Sequence, residues 1–342
     1  MKGRSDMRAI YFDGSKAVYR EDIRIPQCSK GHSLIKVLLA DICSTDKEIL
    51  KGYRPDFRGI MGHEFVGEVT ESDREDLVGR IVVGELNEGC GTCLYCRTGR
   101  EKHCLSRKVI GMSRDGCFAE YMTLANHLIH PIPKELAPER AIFTEPLAAA
   151  IEIVKQVRPD PSLNAAVIGD GRLAYMISQV LSLTGIDLTV IGKHEDKLKM
   201  FEPFAKTALL SDYEEGEGYR SLTADECFEY VVDAAGNASG IELAMNIVRK
   251  MGTIVLKSTY AGRTSVDMSL FAVNEISLIG SRCGPFEPAI KLLSEGKVSF
   301  PPVELYDLSE YGKAFESKAF KAGFRISNWE LGTVLDSHNF YE

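Results

Sequence analysis

Four of the nine cysteines in this 342-residue chain fall within fifteen residues, and no other feature constrains the fold as strongly. They are Cys90, Cys93, Cys96 and Cys104. Four thiolates from one loop can surround a zinc ion tetrahedrally and leave no open position, as structural zinc sites do. A secreted disulfide framework would be denser in cysteine and would follow an export signal, and the first residues lack an apolar signal core. We therefore expect a structural zinc loop in a cytoplasmic protein.

Length and composition predict a soluble chain with two domains. A chain of 342 residues exceeds what one hydrophobic core usually spans, and 44% hydrophobic with 26% charged residues is ordinary for a globular protein. No apolar run is long enough to cross a bilayer, so we expect no membrane contact. The net charge of −8, without a basic stripe, argues against a nucleic-acid partner.

The first part of the chain, 1–150, predicts a β-rich domain. Short alternating or apolar segments are separated there by glycine-rich turns, a pattern typical of strands. The segments are Ala9–Phe12, Leu34–Leu39, Glu64–Val69 and Arg80–Val83.

The second part, 151–285, predicts an α/β domain, because strand-like and helix-like segments alternate and therefore favour a parallel sheet covered on both faces. The predicted strands are Asn164–Ile168, Leu188–Ile191, Glu229–Asp233, Thr253–Lys257 and Ile276–Gly280. Two predicted helices carry apolar residues at helical spacing, namely Leu173, Ile177, Val180 and Leu181 in one and Ile241, Ala244, Ile247 and Val248 in the other. We expect the remaining 286–342, with a short helix at Ala289–Leu293, to pack back on the first domain.

A second metal site is predicted from residues that lie farther apart. Cys43 ends an apolar strand-like segment, and His63 begins the next one. One thiolate and one imidazole from neighbouring strand ends could share a zinc ion, and a carboxylate would have to complete an open catalytic site. Glu64 is adjacent to His63, and Glu145 lies just before the α/β domain. Either or both could supply the carboxylate.

A nucleotide-binding turn is predicted at Gly169-Asp-Gly171-Arg-Leu-Ala174, between a strand and an amphipathic helix. The first glycine allows the tight turn, the second lets the backbone approach a pyrophosphate, and the small third residue lets helix and strand pack closely. The pyrophosphate would lie at the positive end of the helix. The residues expected to contact a cofactor here are Gly169, Gly171, Arg172 and Leu173.

These three motifs resemble those of the zinc-containing medium-chain dehydrogenases, a group that includes alcohol, sorbitol, threonine and glucose dehydrogenases. A Gly62-His63-Glu64 segment, a four-cysteine lobe and a Rossmann turn occur here in the family's order and spacing. Glu145 followed by Pro-Leu is more similar to the sorbitol, threonine and glucose branches than to liver-type alcohol dehydrogenases, which have a cysteine there. The resemblance implies an α/β fold with a GroES-like catalytic domain and a Rossmann coenzyme domain.

The resemblance also implies two zinc ions and the residues that bind them. The catalytic zinc would be bound by Cys43, His63 and one or both of Glu64 and Glu145, and the structural zinc by Cys90, Cys93, Cys96 and Cys104. Asp46 would hold His63 in one tautomer. The family passes a proton outward through a hydroxyl supplied here by Thr45, and often onward through a histidine whose position Glu48 occupies in this chain. Glu48 could relay a proton or be a solvated surface carboxylate.

An open zinc site and a nicotinamide cofactor together imply hydride transfer between the cofactor and an alcohol or polyol, or its carbonyl product. An epimerase or lyase that returns the hydride to its substrate is an alternative. A non-catalytic relative is another, and it is disfavoured because Cys43, His63 and Glu145 are all present. Family resemblance further implies a small-molecule substrate and a homodimer or homotetramer.

The preference between the two nicotinamide cofactors is predicted from the end of the second α/β strand. An enzyme that uses NAD(H) carries an acidic residue there to bind the ribose hydroxyls. This strand ends instead in Gly192, Lys193 and His194. Gly192 would leave room for a 2′-phosphate, and Lys193 and His194 could bind it, so the sequence predicts NADP(H).

Overall fold

The computed structural model describes residues 5–215, 218–259 and 263–328. They form two compact units. The first contains the residues up to Lys134 and those from Pro302 onward, and the second is the segment Glu135–Pro301.

The N-terminal part of the first unit consists mainly of short strands, as its alternating pattern predicts. The strands are Asp6–Phe12 (β1), Ala17–Arg24 (β2), His32–Asp41 (β3), Gly59–Ile60 (β4), Glu64–Ser72 (β5), Ile81–Gly84 (β6), Asn87–Glu88 (β7), Lys108–Val109 (β8), Tyr121–Ala125 (β9) and Ile129–Pro131 (β10). Its α-helices are Ser44–Leu50 (α1) and Leu94–Arg97 (α2).

The second unit contains the predicted strand–helix alternation. Its strands are Asn164–Ile168 (β11), Asp187–Gly192 (β12), Lys206–Leu209 (β13), Glu214–Glu215 (β14), Gly218–Tyr219 (β15), Phe228–Asp233 (β16), Val248–Leu256 (β17) and Ser277–Gly280 (β18). Its α-helices are Pro138–Ala141 (α3), Thr144–Val157 (α4), Arg172–Ser182 (α5), Glu195–Leu198 (α6), Ser239–Ile247 (α7), Met268–Val273 (α8) and Phe286–Ser294 (α9).

The last described residues return to the first unit as Val303–Tyr306 (β19), Tyr311–Glu316 (α10) and Lys321–Arg325 (β20). Short 3-10 helices connect several elements of both units. They are Glu75–Leu77, Glu101–His103, Asn126–Leu128, Leu210–Asp212, Ala224–Glu226 and Leu308–Glu310.

In the first unit, β3 is the central strand of a sheet in the order β10-β6-β5-β3-β20-β19, and β9 also pairs with β3. The partners β5, β9 and β20 all run antiparallel to β3. Ile35, Val37, Leu38 and Ala40 on this strand are 0% exposed, so β3 forms the core of the unit. The carboxyl end of β3 is therefore held between two neighbouring strands.

In the second unit, six parallel strands form a sheet in the order β13-β12-β11-β16-β17-β18. β11 is central, and Ala165, Ala166 and Val167 on it are 0% exposed. The chain continues to one side of β11 through β12 and to the other side through β16. Such a reversal of strand order is where open α/β sheets bind their ligands, at the carboxyl ends of the strands. The predicted α/β fold with a Rossmann-type sheet is confirmed.

Three expectations differ from the structure in detail. The helix expected at Ala289–Leu293 belongs to the second unit, because Phe286, Ala289 and Leu293 are buried on α9, which packs against α4. Only residues from Pro302 onward return to the first unit, and the first boundary falls at Lys134 rather than at residue 150. Val248, expected to continue a helix, begins β17 instead, which accords with the preference of β-branched side chains for strands.

No helix in the described part of the chain is both long and apolar enough to cross a membrane.

Candidate functional site

The first candidate metal site lies in the first unit, where β3 ends and β5 begins. Asp41 at the end of β3 pairs with Glu64 at the start of β5, and this register brings Cys43 close to His63. Ligand atoms of Cys43, His63 and Glu64 lie within 4.8 Å of one another. The preceding Gly62 has φ +89°, and a Cβ atom there would lie 2.2 Å from the Phe118 ring. The turn that presents His63 therefore requires glycine.

Asp46, in the first turn of α1, lies beside His63. One of its carboxylate oxygens accepts a hydrogen bond from the Cys43 backbone N–H at 2.8 Å, and the other lies 3.5 Å from His63 Nδ1. Burial opposes a charge on His63, but Asp46 and the Cys43 thiol outweigh burial and raise the pKa of the imidazole well above its usual value. With Nδ1 turned toward Asp46, Nε2 is the nitrogen left to bind a metal.

The surroundings of this group are rich in buried negative charge. Asp41, Asp46 and Glu64 are at most 2% exposed, and burial together with these three carboxylates raises the pKa of the Cys117 thiol. Lys321 on β20 binds the Glu64 carboxylate directly. Among the described buried residues of the first unit, Lys321 and His63 are the only basic side chains. A divalent cation would balance this surplus of negative charge, so the donor set fits a zinc ion.

The two predicted relay residues have different surroundings. Thr45 Oγ1 lies 3.8 Å from the Cys43 sulfur, next to the candidate metal ligands. The Glu48 side chain is 39% exposed and accepts a hydrogen bond from Lys51 Nζ at 2.8 Å.

Glu145 lies in the second unit, half-buried in the first turn of α4. The structure therefore brings three of the four predicted catalytic-zinc ligands together within the first unit. A role of Glu145 in zinc binding stays a prediction.

The four clustered cysteines form a second candidate metal site. The sulfurs of Cys90, Cys93, Cys96 and Cys104 lie within 4.8 Å of one another, and all four cysteines are free of disulfides. Hydrogen bonds from Thr92 lower the pKa of Cys90 to about 6, whereas desolvation and the neighbouring Cys93 raise the pKa of Cys96 to about 12. Sulfurs this close do not all ionise on their own, and a zinc ion would stabilise four thiolates at once.

Replacing Cys93 by serine is expected to remove about one zinc per chain and to lower the unfolding temperature. The lobe contains only the short helix α2 and one 3-10 turn, and little else would hold it together without the metal. Elemental analysis and thermal denaturation of the variant would measure both effects. Cys227→Ser, in the second unit, is the matched control and should retain both the zinc content and the stability. An inactive Cys93→Ser variant as stable as the parent would instead assign the catalytic role to this lobe.

The candidate cofactor site lies in the second unit, at the carboxyl ends of β11, β12 and β16. It is a cavity of about 250 Å³ whose lining includes the predicted residues Gly169, Gly171, Gly192, Lys193 and His194. Gly169 has φ +124°, and a Cβ atom there would lie 2.7 Å from the Ala234 carbonyl oxygen, so this position requires glycine. A Cβ atom at Gly171 would meet no atom within 4 Å, which leaves the backbone open to a ligand.

The other two predicted cofactor residues, Arg172 and Leu173, lie in the first turn of α5. Sequence analysis missed Asp170, whose side chain also lines the cavity. Two features of the sequence together could have indicated Asp170. It is an acidic residue within the glycine turn, and the end of β12 has no acidic residue.

Family models match both parts of the chain. A family model described as the alcohol dehydrogenase GroES-like domain matches residues 29–134. A second, described as zinc-binding dehydrogenase, matches residues 173–295.

Several relatives are similar over nearly the whole chain. D-arabinitol dehydrogenase 1 of Uromyces fabae is 26% identical and covers 94% of this chain and 97% of its own length. Erythritol/L-threitol dehydrogenase of Mycolicibacterium smegmatis is also 26% identical, with 91% and 93% covered. Among solved structures, alcohol dehydrogenase TADH from Thermus sp. ATN1 superposes with a TM-score of 0.83 at 26% identity, covering 94% of this chain and all of that one.

Proposed function

The chain belongs to the zinc-containing medium-chain alcohol dehydrogenase family, and we propose that it is a zinc-dependent enzyme that transfers a hydride between a nicotinamide cofactor and an alcohol or polyol. The observation that carries this proposal is the convergence of Cys43, His63 and Glu64 in a buried, negatively charged environment. A thiolate, an imidazole and a carboxylate are the ligands of catalytic rather than structural zinc sites.

Cys43 and His63 would hold the catalytic zinc, with Glu64, Glu145 or both supplying a carboxylate. When bound, the zinc polarises the substrate oxygen and the nicotinamide accepts or returns the hydride. Asp46, 3.5 Å from His63 Nδ1, would keep the imidazole in position and leave Nε2 to bind the metal. Thr45 Oγ1, beside the Cys43 sulfur, would accept the proton of the substrate hydroxyl while passing its own hydroxyl proton outward. Glu48, which is bonded to Lys51 at the surface, would either receive the proton passed on by Thr45 or remain a solvated carboxylate.

The names of the relatives favour a polyol as substrate, because D-arabinitol and erythritol or threitol dehydrogenases are similar over 94% and 91% of the chain. Secondary alcohols and polyols of four to six carbons should be tested with NAD+ and NADP+, and the absorbance of the reduced cofactor followed. Steady accumulation of reduced cofactor supports the proposal. Conversion of a substrate without such accumulation would favour an epimerase or lyase, and absence of turnover with every substrate would favour a non-catalytic relative.

Glu145→Gln is expected to lower kcat by about tenfold to a hundredfold while cofactor affinity changes little. A carboxylate at this position can bind zinc or hold a zinc-bound water, and both depend on its charge. The test compares kcat with the dissociation constant of the reduced cofactor. Glu135→Gln, at an exposed acid just before the short helix α3, is the matched control and should leave both quantities unchanged. Near-normal turnover of Glu145→Gln would leave Glu64 as the carboxylate that matters.

Cofactor preference and assembly complete the proposal. The NADP(H) preference expected from Lys193 and His194 stays a prediction, and Asp170 weighs against it because it accepts hydrogen bonds from the backbone of both residues. Gly192 was expected to leave room for a 2′-phosphate. In the structure, the space left by its missing side chain is occupied by the side chain of Asp170. Two zinc ions per chain and a homodimer or homotetramer are the stoichiometries that elemental analysis and light scattering would test.

A further inference from the structure

The carboxylate of Asp170 lies at the end of β12, although the residue belongs to the glycine turn after β11. One carboxylate oxygen accepts hydrogen bonds from the backbone N–H groups of Lys193 and His194, both at 2.9 Å. The same oxygen lies 2.8 Å from His194 Nδ1, and the other oxygen lies 3.7 Å from Lys197 Nζ. Three donors and a nearby ammonium group therefore converge on one side chain.

Both Gly192 and the surroundings of Asp170 favour this contact. A Cβ atom at position 192 would lie 2.8 Å from the Asp170 Cβ and 3.1 Å from its carboxylate oxygen, so Gly192 is what allows Asp170 to reach the end of β12. The Asp170 side chain is 12% exposed. Burial raises the pKa of Asp170, but the hydrogen bonds from His194 and Lys193 outweigh burial and hold the pKa below its usual value. The group is a carboxylate at neutral pH.

The end of the second strand is where a Rossmann domain distinguishes its two cofactors. An acceptor there binds the adenosine ribose hydroxyls of NAD(H), and donors or cations there bind the 2′-phosphate of NADP(H). In this chain the two backbone donors that could bind a phosphate are already bonded to Asp170. A phosphate brought to the same donors would also face a fixed negative charge at close range.

We propose that Asp170 selects the cofactor, accepting a hydrogen bond from the adenosine ribose of NAD(H) and excluding the 2′-phosphate of NADP(H). Asp170 would replace the acidic residue that is missing from the end of β12. The cofactor preference is then for NAD(H), whereas Lys193 alone predicts NADP(H). Lys193 is exposed at the rim of the cavity. This inference rests on the proposed function only in taking a nicotinamide dinucleotide as the ligand.

The test is binding of cofactor fragments without the nicotinamide ring, so it does not depend on catalysis. Calorimetry would compare ADP-ribose with 2′-phospho-ADP-ribose on the parent protein. We expect ADP-ribose to bind at least about tenfold more tightly, the size of one charge-assisted contact. Equal or tighter binding of the phosphorylated fragment by the parent would overturn the inference, and this result needs no variant to fold.

Two variants identify the residue responsible. Asp170→Ser removes the charge and opens the backbone donors, and it should shift the affinity ratio toward the phosphorylated fragment by about tenfold to a hundredfold. Asp170→Asn keeps the size and one acceptor oxygen and should shift the ratio in the same direction. Asp196→Asn removes an exposed acid from the first turn of α6 and is the matched charge control, with an unchanged ratio expected.

The outcomes separate this inference from the proposed function. Equal weakening of both fragments in the Asp170 variants, or a shift as large in Asp196→Asn, would overturn a selecting role and leave Asp170 as a support for the turn. The expected ratios in a protein that oxidises no alcohol would uphold the inference and refute the proposed function. If the parent oxidised alcohols but bound the phosphorylated fragment more tightly, the proposed function would be upheld and this inference refuted.

Discussion

Replacing His63 by alanine is expected to lower kcat/KM for alcohol oxidation by about a thousandfold and to remove about one zinc per chain. A metal that polarises a substrate oxygen contributes several kcal/mol, and each 1.4 kcal/mol corresponds to a factor of ten in rate. His63 is 3% exposed and is one of the three grouped candidate ligands, so its removal takes a buried ligand from the site. Steady-state kinetics and elemental analysis of the same preparation would measure both effects.

Two further variants make this result specific. Cys43→Ser removes a different ligand of the same group and should reproduce both losses. His130→Ala removes a half-buried histidine from β10 whose ring is bonded to Glu85 at 3.0 Å, and it should change neither quantity. A His63→Ala variant with the parent's zinc content and near-normal kcat/KM would show that this group of residues is not the catalytic metal site.

His63→Ala and Cys93→Ser are both expected to lose zinc, but with different consequences. The His63 variant retains β3 and β5 and their long antiparallel pairing, so its loss should appear mainly in turnover. The Cys93 variant loses the main connection within a lobe that has little regular structure, so its loss should appear mainly in unfolding temperature. The ratio of the two effects therefore distinguishes a catalytic from a structural metal.

Local patterns predict much of this fold because its strands have strong signals. Asn164–Ile168 was predicted at the bounds that the structure gives β11, since a short apolar run before a glycine turn has few other interpretations. Local patterns say less about which elements pack together. The periodicity of Phe286–Ser294 indicates a helix with an apolar face but not the partner against which that face packs, and its expected domain differed for this reason.

The candidate sites show the same division. Cysteine spacing identifies the four-sulfur group because its members are close in sequence. Asp170 was missed because the glycine motif leaves its second position unspecified. Its contact with the end of β12 forms only because β12 lies beside β11 in the folded sheet. Lys321 was missed because it reaches Glu64 across 257 positions of sequence, and no local pattern can pair residues so far apart.

Lys321→Met is expected to destabilise the protein by about 3–5 kcal/mol, because removal of one partner of a buried ion pair leaves the other charge buried without compensation. Lys321 and Glu64 have side-chain exposures of 4% and 1%, so water cannot replace the lost ammonium group. The carboxylate left behind would also lie within the candidate metal group, where its charge can be compensated by zinc. The variant should therefore unfold more easily and depend more strongly on zinc for its stability.

Urea denaturation at a fixed free zinc concentration would measure this effect, since bound metal itself adds to stability by mass action. The matched control is Lys313→Met, which breaks the exposed pair of Lys313 with Glu310 on α10 and should cost at most about 1 kcal/mol. The double variant Lys321→Met with Glu64→Leu removes both charges but also a candidate zinc ligand, so it is compared with the single variant in metal-free protein. There it should regain most of the stability lost by the single variant, because an apolar pair of similar volume replaces a buried ion pair at little net cost. If Lys321→Met were as stable as Lys313→Met, the Glu64 charge would be compensated without Lys321. If the double variant failed to recover stability, Lys321 would have a packing role rather than an electrostatic one.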